Sequence, residues 1–131
     1  MNLLVDSHAL LWLMQANPAI SADAARLLAD PANRLHLSMA SIWEIGIKAG
    51  LGRITLAVPY AKFLATAIEG YGLVVVPITA EDCIHYEGLP FPDPRHRDPF
   101  DRMIVVHAQR SSLAVVSVDE KLDRYGIVRL W

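Results

Sequence analysis

The stretch MNLLVDSHALLWLM, residues 1–14, joins two apolar segments through a single carboxylate. Residues 3–5 are typical of a strand buried on both faces, and residues 9–14 are typical of the start of a buried helix. Because an unpaired charge is costly to bury, Asp6 needs a partner. We expect it either to cap the helix, where backbone N–H groups pair with it, or to belong to a site that a cation fills.

Composition limits the class of protein. The 131 residues suit one domain, here residues 1–131, and 53% hydrophobic with 20% charged residues indicates a globular chain. The net charge of −2 argues against nucleic-acid binding by bulk charge, although it allows a local basic groove. The single cysteine, Cys83, excludes an intramolecular disulfide and fits a reducing compartment. With no signal-peptide pattern and no apolar run of about 18 residues, we predict a cytoplasmic protein without a membrane span.

Predicted strands alternate with predicted helices along the whole chain. The strand candidates are short, continuous apolar runs at residues 3–5, 35–37, 73–76, 113–118 and 127–131. This alternation is typical of a parallel sheet covered by helices on both faces, a three-layer α/β/α sandwich. Open parallel sheets bind ligands beyond the carboxyl ends of their strands, and Asp6 is the first residue after the first strand.

Other acidic residues fall in equivalent places. Asp119 directly follows the strand at 113–118, as Asp6 follows 3–5. Glu44 lies among apolar residues in the helix after the second strand. Asp98 and Asp101 sit at the start of the helix that leads into residues 113–118. The sequence therefore predicts five acids at one edge of the sheet.

Each acid also has a simpler interpretation. Asp6 and Asp119 could be helix caps, and Glu44 could pair with Lys48 at i, i+4, an interaction worth about 0.2–0.5 kcal/mol. In RDPFDR, residues 97–102, Asp98 fits the N-cap of a helix that has proline at its first position. The third helical position then falls on Asp101, the better ligand candidate of that pair.

Together, the five acids favour a cation site. Like charges at close range raise one another's pKa and destabilise the fold unless a cation relieves them. Oxygen ligands favour Mg²⁺ or Mn²⁺, and magnesium held by a few carboxylates usually also holds substrate phosphates. Metal-assisted hydrolysis of a phosphodiester follows as the natural chemistry. The histidines make no competing zinc motif, being scattered at His8, His36, His85, His96 and His107.

Five segments are spread, in order, over nearly the whole chain: LLVDSHALLWLM (3–14), SMASIWEIGIKAGLGRITL (38–56), HRDPFDRMIVVHA (96–108), VVSVDEKLDRYG (115–126) and VRLW (128–131). Their combination resembles the PIN-domain family and, within it, the VapC-type toxins of bacterial toxin–antitoxin pairs. The resemblance implies a three-layer α/β/α fold and a Mg²⁺-dependent endoribonuclease. It also implies inhibition by a small antitoxin encoded beside the toxin.

Carried over by motif, the resemblance implies four main catalytic and metal-binding residues. The family's first aspartate falls on Asp6, its helix glutamate on Glu44, and the aspartate of D-x-x-I-x-x-x-A on Asp101. Its last acid, which is less uniform across the family, falls on Asp119. Asp98 belongs to the DPFDR variant of the motif and is a further candidate ligand.

The candidate phosphate- or RNA-binding residues form a second group. Ser7 resembles the small hydroxyl residue that often follows the family's first aspartate. The remaining candidates are basic residues near the predicted acids: Lys48, Arg95, Arg97 and Arg102. Such contacts would position a strand without reading its sequence, and single-stranded or looped RNA is the expected substrate.

Two other functions remain open from the sequence. A catalytically silent PIN-like module that binds RNA or protein would be favoured by the loss of a main acid, and none of the four is lost. An aspartyl-nucleophile phosphatase would carry a second acid two residues after Asp6, where this chain has His8. Large apolar residues on two helices, Leu11, Trp12, Met14 and Trp43, further predict a homodimer and an antitoxin contact.

Overall fold

The computed structural model describes all 131 residues and contains five strands. The strands are β1 (Asn2–Val5), β2 (Arg34–Ser38), β3 (Val74–Val76), β4 (Ala114–Val116) and β5 (Arg129–Leu130). The helices are α1 (Ser7–Met14), α2 (Ala22–Ala29), α3 (Met39–Gly50), α4 (Tyr60–Ala65), α5 (Ala80–Glu87) and α6 (Pro99–Ser111). A π-helical turn, Thr66–Gly70, extends α4, and a 3₁₀ helix, Glu120–Tyr125, precedes β5.

The five strands form one parallel sheet in the order β3-β2-β1-β4-β5. Successive side chains of β1 point to opposite faces, so Leu3 and Val5 enter one apolar core and Leu4 enters the other. The first core packs α1, α2 and α4 on the sheet, and the second packs α6 and the 3₁₀ helix. The predicted three-layer α/β/α fold with a parallel sheet is confirmed.

Local sequence signals set most of the element boundaries. The side chains of Ser21, Ser38 and Thr79 each accept a hydrogen bond from a backbone N–H in the first turn of the helix that follows. The strand predicted over 113–118 is shorter than expected because the ladder ends at Val116. None of the helices combines the length and the apolar character needed to cross a bilayer.

A buried ionic network ties α5 to α6 away from the strand ends. Asp82 completes the capping box of α5 with Thr79 and accepts from the guanidinium of Arg110. The ring of His107 lies between Asp82, at 3.3 Å, and the hydroxyl of Ser38, at 3.0 Å. Burial alone would raise the pKa of Asp82, but the hydrogen bonds from Thr79 and Arg110 lower it to about 2. This pairing makes His107 a structural residue.

The register of the sheet positions the acidic residues. Val5 of β1 pairs with Val116 of β4, so the two strands end side by side. Asp6 follows directly on one strand and Ser117 on the other. In the second layer, α3 packs against α6, and the ring of Trp43 meets that of Phe100 edge-on at 5.4 Å. The helices that carry Glu44 and Asp101 are thereby held beside the same strand ends.

Candidate metal centre at the carboxyl edge of the sheet

Asp6 is buried, and both of its carboxylate oxygens accept hydrogen bonds. Oδ1 accepts from the backbone N–H of Ser7 at 2.8 Å, which caps α1, and Oδ2 accepts from the hydroxyl of Ser117 at 2.7 Å. Burial raises the pKa of Asp6, and the nearby carboxylate of Glu44 raises it further. Asp6 therefore both caps α1 and belongs to the acidic cluster, although the sequence presented these two roles as alternatives.

Glu44 reaches the same edge from α3. The hydroxyl of Ser7 donates to Oε1 of Glu44 at 2.6 Å, and Nζ of Lys48 lies 3.1 Å from Oε2. The expected i, i+4 pair thus exists, but it does not draw Glu44 out to solvent, since Glu44 is only 6% exposed. Ser7 therefore connects Glu44 to the first turn of α1.

The two aspartates of RDPFDR take different places. Oδ1 of Asp98 accepts from the backbone N–H groups of Phe100 at 2.9 Å and of Asp101 at 3.0 Å, with Pro99 at the first helical position. The predicted N-cap is confirmed, and Asp98 is exposed. Asp101 is more enclosed, with 26% of its side chain exposed, and its Oδ2 lies 3.0 Å from Nε2 of His96.

Asp119 completes the cluster from the turn after β4. Its Oδ1 accepts from the backbone N–H of Lys121 at 3.0 Å, capping the 3₁₀ helix, and its own N–H donates to the hydroxyl of Ser117 at 3.0 Å. Ser117 therefore bridges Asp6 and Asp119. Ligand atoms of His96, Asp101 and Asp119 all lie within 4.8 Å of one another.

The pKa of the Asp101 carboxyl reflects both its burial and the nearby carboxylates. Burial raises the pKa of Asp101 to about 6; the bond from His96 opposes this rise, and the charges of Asp98, Asp6 and Asp119 add to it. The donors that converge here are mainly carboxylate oxygens, which fit a hard divalent cation. All five predicted acids are thus brought to one edge of the sheet, with Asp98 at its exposed rim.

The basic candidates separate into exposed and buried residues. Arg95 is exposed and pairs with Asp93 at 3.1 Å, while Arg97 is exposed and donates from Nε to the carbonyl of Pro94 at 2.7 Å. Lys48 is bound to Glu44. Of the three, Arg95 lines an open depression beside His96, together with Lys121, which sequence reasoning overlooked.

The expectation for Arg102 is wrong. Arg102 is 1% exposed, and its guanidinium donates to the carbonyls of Leu89 at 2.8 Å and Pro90 at 2.9 Å. The ring of Phe91 covers it at 3.7 Å. All these contacts come from the proline-rich loop before α6, so Arg102 anchors that loop and cannot reach a phosphate.

His96 and Ser117 are the polar groups of the site that sequence reasoning missed. The scattered histidines form no metal-binding motif in the sequence, yet the ring of His96 is buried against Asp101. The only available signal was its position two residues before Asp98 in HRDPFDR. Ser117 follows β4 just as Asp6 follows β1, but this equivalence was hidden in the sequence because the predicted strand ran to residue 118.

Comparisons with known proteins agree with this fold. The family model described as PIN domain matches residues 3–128, and the chain belongs to the PIN-domain family. Among curated proteins, no match is found.

Three solved structures illustrate the likeness. VapBC2 from Rickettsia felis, bound to a DNA fragment from its promoter, superposes with a TM-score of 0.72 at 14% identity, covering 99% of this chain and 98% of that one. The Mycobacterium tuberculosis toxin VapC20, which cleaves the sarcin–ricin loop, gives 0.71 at 16% identity, covering 96% of each chain. VapBC-1 from nontypeable Haemophilus influenzae gives 0.67 at 18% identity, covering 99% and 97%. At these identities the likeness establishes the shared fold.

Proposed function

We propose that this chain is a Mg²⁺-dependent endoribonuclease and the toxin of a toxin–antitoxin pair. The observation that carries the proposal is the convergence of Asp6, Glu44, Asp101 and Asp119 at the carboxyl edge of a parallel sheet in a PIN domain. Burial raises the pKa of Asp101, the charges of Asp98, Asp6 and Asp119 add to the rise, and a divalent cation would relieve the resulting electrostatic cost. The same fold belongs to a toxin that cleaves the sarcin–ricin loop.

The four acids would hold the cation, which Mn²⁺ can replace in a site of this chemistry. A bound Mg²⁺ supplies positive charge that stabilises the phosphate during hydrolysis and lowers the pKa of coordinated water. Ser7 holds Glu44 in place through its hydroxyl. At the rim, Arg95, Arg97 and Lys48 would contact the RNA backbone and position the strand without reading its sequence.

The exposure and residues of the candidate metal centre favour an RNA substrate over the two alternative functions. Asp101 and Asp119 are partly exposed and lie near the exposed Arg95 and Arg97, which suits a single-stranded or looped RNA whose backbone can approach. A silent binding module would not need all four acids, and keeping them carries the electrostatic cost described above. The phosphatase alternative lacks its second acid, because residue 8 is histidine.

The partners we propose are a cognate antitoxin and a second copy of the chain, both in the cytoplasm. VapBC2 and VapBC-1 share this fold, and the resemblance to VapC-type toxins implies an antitoxin partner. On this chain Trp43 is 61% exposed, beside an apolar pocket of about 260 Å³ formed by α3, α5 and α6. An exposed apolar patch of this kind marks a protein interface. Leu11, by contrast, is buried and takes no part.

Incubation of the purified protein with mixed cellular RNA tests the proposed activity. We expect cleavage with Mg²⁺ or Mn²⁺, none in excess EDTA, and recovery when Mg²⁺ is restored. The matched control is Asp23→Asn, which removes an exposed carboxylate on α2 and should leave cleavage unchanged. Full cleavage by protein shown to be metal-free would contradict the proposal.

A further inference from the structure

A buried chain of polar groups runs from Arg102 to the candidate metal centre. Its first member, Arg102, donates only to uncharged oxygens: two loop carbonyls and, from Nη1 at 3.3 Å, the hydroxyl of Tyr125. A guanidinium can donate but cannot accept. The oxygen of Tyr125 therefore accepts from Arg102, and its own O–H remains free to donate elsewhere.

The ring of His96 takes up that free donor. Nδ1 of His96 lies 3.1 Å from the hydroxyl of Tyr125, and the rings meet edge-on with centroids 5.7 Å apart. On the other side of the ring, Nε2 lies 3.0 Å from Oδ2 of Asp101. An ionised carboxylate only accepts, so the nitrogen facing Asp101 must carry the proton. Asp101 thus requires the tautomer with the proton on Nε2, and in that tautomer Nδ1 is free to accept the O–H of Tyr125.

We propose that His96 is a positioning residue, whose Nε2–H holds the carboxylate of Asp101 in a fixed orientation under the control of Tyr125 and Arg102. This inference rests on the proposed metal centre. One oxygen of Asp101 is occupied by the histidine, which leaves the other for the cation. Hydrogen bonds that orient a metal-binding carboxylate typically account for about 10–100-fold in metal affinity or activity.

The alternative role for His96 is that of a metal ligand, and the position of the ring proton distinguishes the two roles. Because His96, Asp101 and Asp119 offer atoms within 4.8 Å of one another, the ring could instead bind the cation through Nε2. A ligating nitrogen carries no proton, so that arrangement would move the proton to Nδ1. The position of the proton therefore separates a positioning residue from a metal ligand.

Nitrogen NMR of the protein, labelled with ¹⁵N-histidine and kept at about pH 8 where histidine is ordinarily neutral, measures that position. The signal of His96 is assigned from its loss in His96→Gln. We expect a proton on Nε2 both without metal and with saturating Mg²⁺, and a partial move of the proton to Nδ1 in Tyr125→Phe. A proton on Nδ1 in the unsubstituted protein, in either condition, would overturn the proposal.

Calorimetric titration of RNA-free protein with Mg²⁺ provides the second measurement. His96→Leu removes the donor and should weaken Mg²⁺ binding by about 10–100-fold, whereas His96→Gln keeps an N–H donor and should recover most of the affinity. The matched control is His85→Leu, which breaks an exposed bond to Gln109 at 2.8 Å and should change nothing. Equal losses in His96→Gln and His96→Leu would overturn the positioning role.

Neither measurement uses RNA, so their outcome is separable from that of the cleavage assay. A protein that shows the expected proton position and Mg²⁺ affinities but cleaves no RNA would contradict the ribonuclease proposal and support the positioning network. If His96→Leu does not fold, Tyr125→Phe replaces it in the titration, with an expected weakening in the same direction.

Discussion

Replacing Asp101 with asparagine should stabilise the metal-free protein while removing its activity. Burial raises the pKa of this carboxyl from 3.8 to about 6, because the folded protein solvates the charge poorly and places other carboxylates nearby. A tenfold change in proton affinity corresponds to about 1.4 kcal/mol, so the whole rise in this pKa corresponds to about 3 kcal/mol. With 26% of the side chain exposed, solvent screening reduces this figure, and we expect about 1–3 kcal/mol.

The sign of this effect depends on pH. The folded protein binds the Asp101 proton more tightly than the unfolded chain, so wild-type stability falls as pH rises from about 4 through about 6 and is constant above that. Asp101→Asn should therefore match the wild type near pH 4. At about pH 8 in chelator its Tm should be higher by roughly 3–12 °C for a chain of this size.

Thermal unfolding with and without Mg²⁺ measures both parts of the prediction. Mg²⁺ should raise the Tm of the wild type but not of Asp101→Asn, and the variant should lose nearly all RNA cleavage. The matched control is Asp98→Asn, since asparagine caps a helix almost as well as aspartate; it should remain folded and keep most of its cleavage. A lower Tm for Asp101→Asn in chelator, or an equal response to Mg²⁺, would refute the electrostatic reasoning.

The remaining predictions concern other parts of the molecule. Acid unfolding followed by circular dichroism should show that Asp82 contributes about 2 kcal/mol to the free energy of unfolding, and that this contribution is lost as pH falls from about 4 toward 2. In Asp82→Asn this pH-dependent loss of stability should be absent. In urea denaturation, Arg102→Met should lower the free energy of unfolding by about 2–4 kcal/mol because it removes buried hydrogen bonds. Arg97→Met should change it by less than about 0.5 kcal/mol. Equal losses in the two variants would contradict the anchoring role of Arg102. Asp6→Asn should fold normally but lose cleavage, and near-normal cleavage would make Asp6 only a cap. Light scattering at tens of micromolar should give a dimer; a monomer would remove that proposal.

The parts of the structure that follow local rules could be predicted from the sequence. Asp98 and Ser38 cap helices because a short polar side chain before an apolar run satisfies the first free N–H groups of the helix, whatever surrounds it. The convergence of Asp6 and Asp119 follows from the parallel order of strands, which the alternating apolar runs already indicate.

The parts that failed depend on contacts between distant segments. Arg102 resembles a surface cation in sequence, and only the fold of the loop at residues 89–91 encloses it. The role of His96 depends on Tyr125, 29 residues away, which no spacing rule connects to it. The roles of Arg102 and His96 therefore could not be predicted from the sequence alone.

Binding of a divalent cation by the acid cluster is the step on which the proposed RNA cleavage depends. A crystal structure of the protein with Mn²⁺, at a concentration that fully supports cleavage, tests it directly because manganese gives an anomalous signal. We expect an anomalous peak at the carboxyl edge of the sheet, bound by carboxylate oxygens of the acid cluster that includes Asp6 and Asp101. An empty cluster, or a peak bound only by residues elsewhere in the chain, would contradict the proposed metal centre.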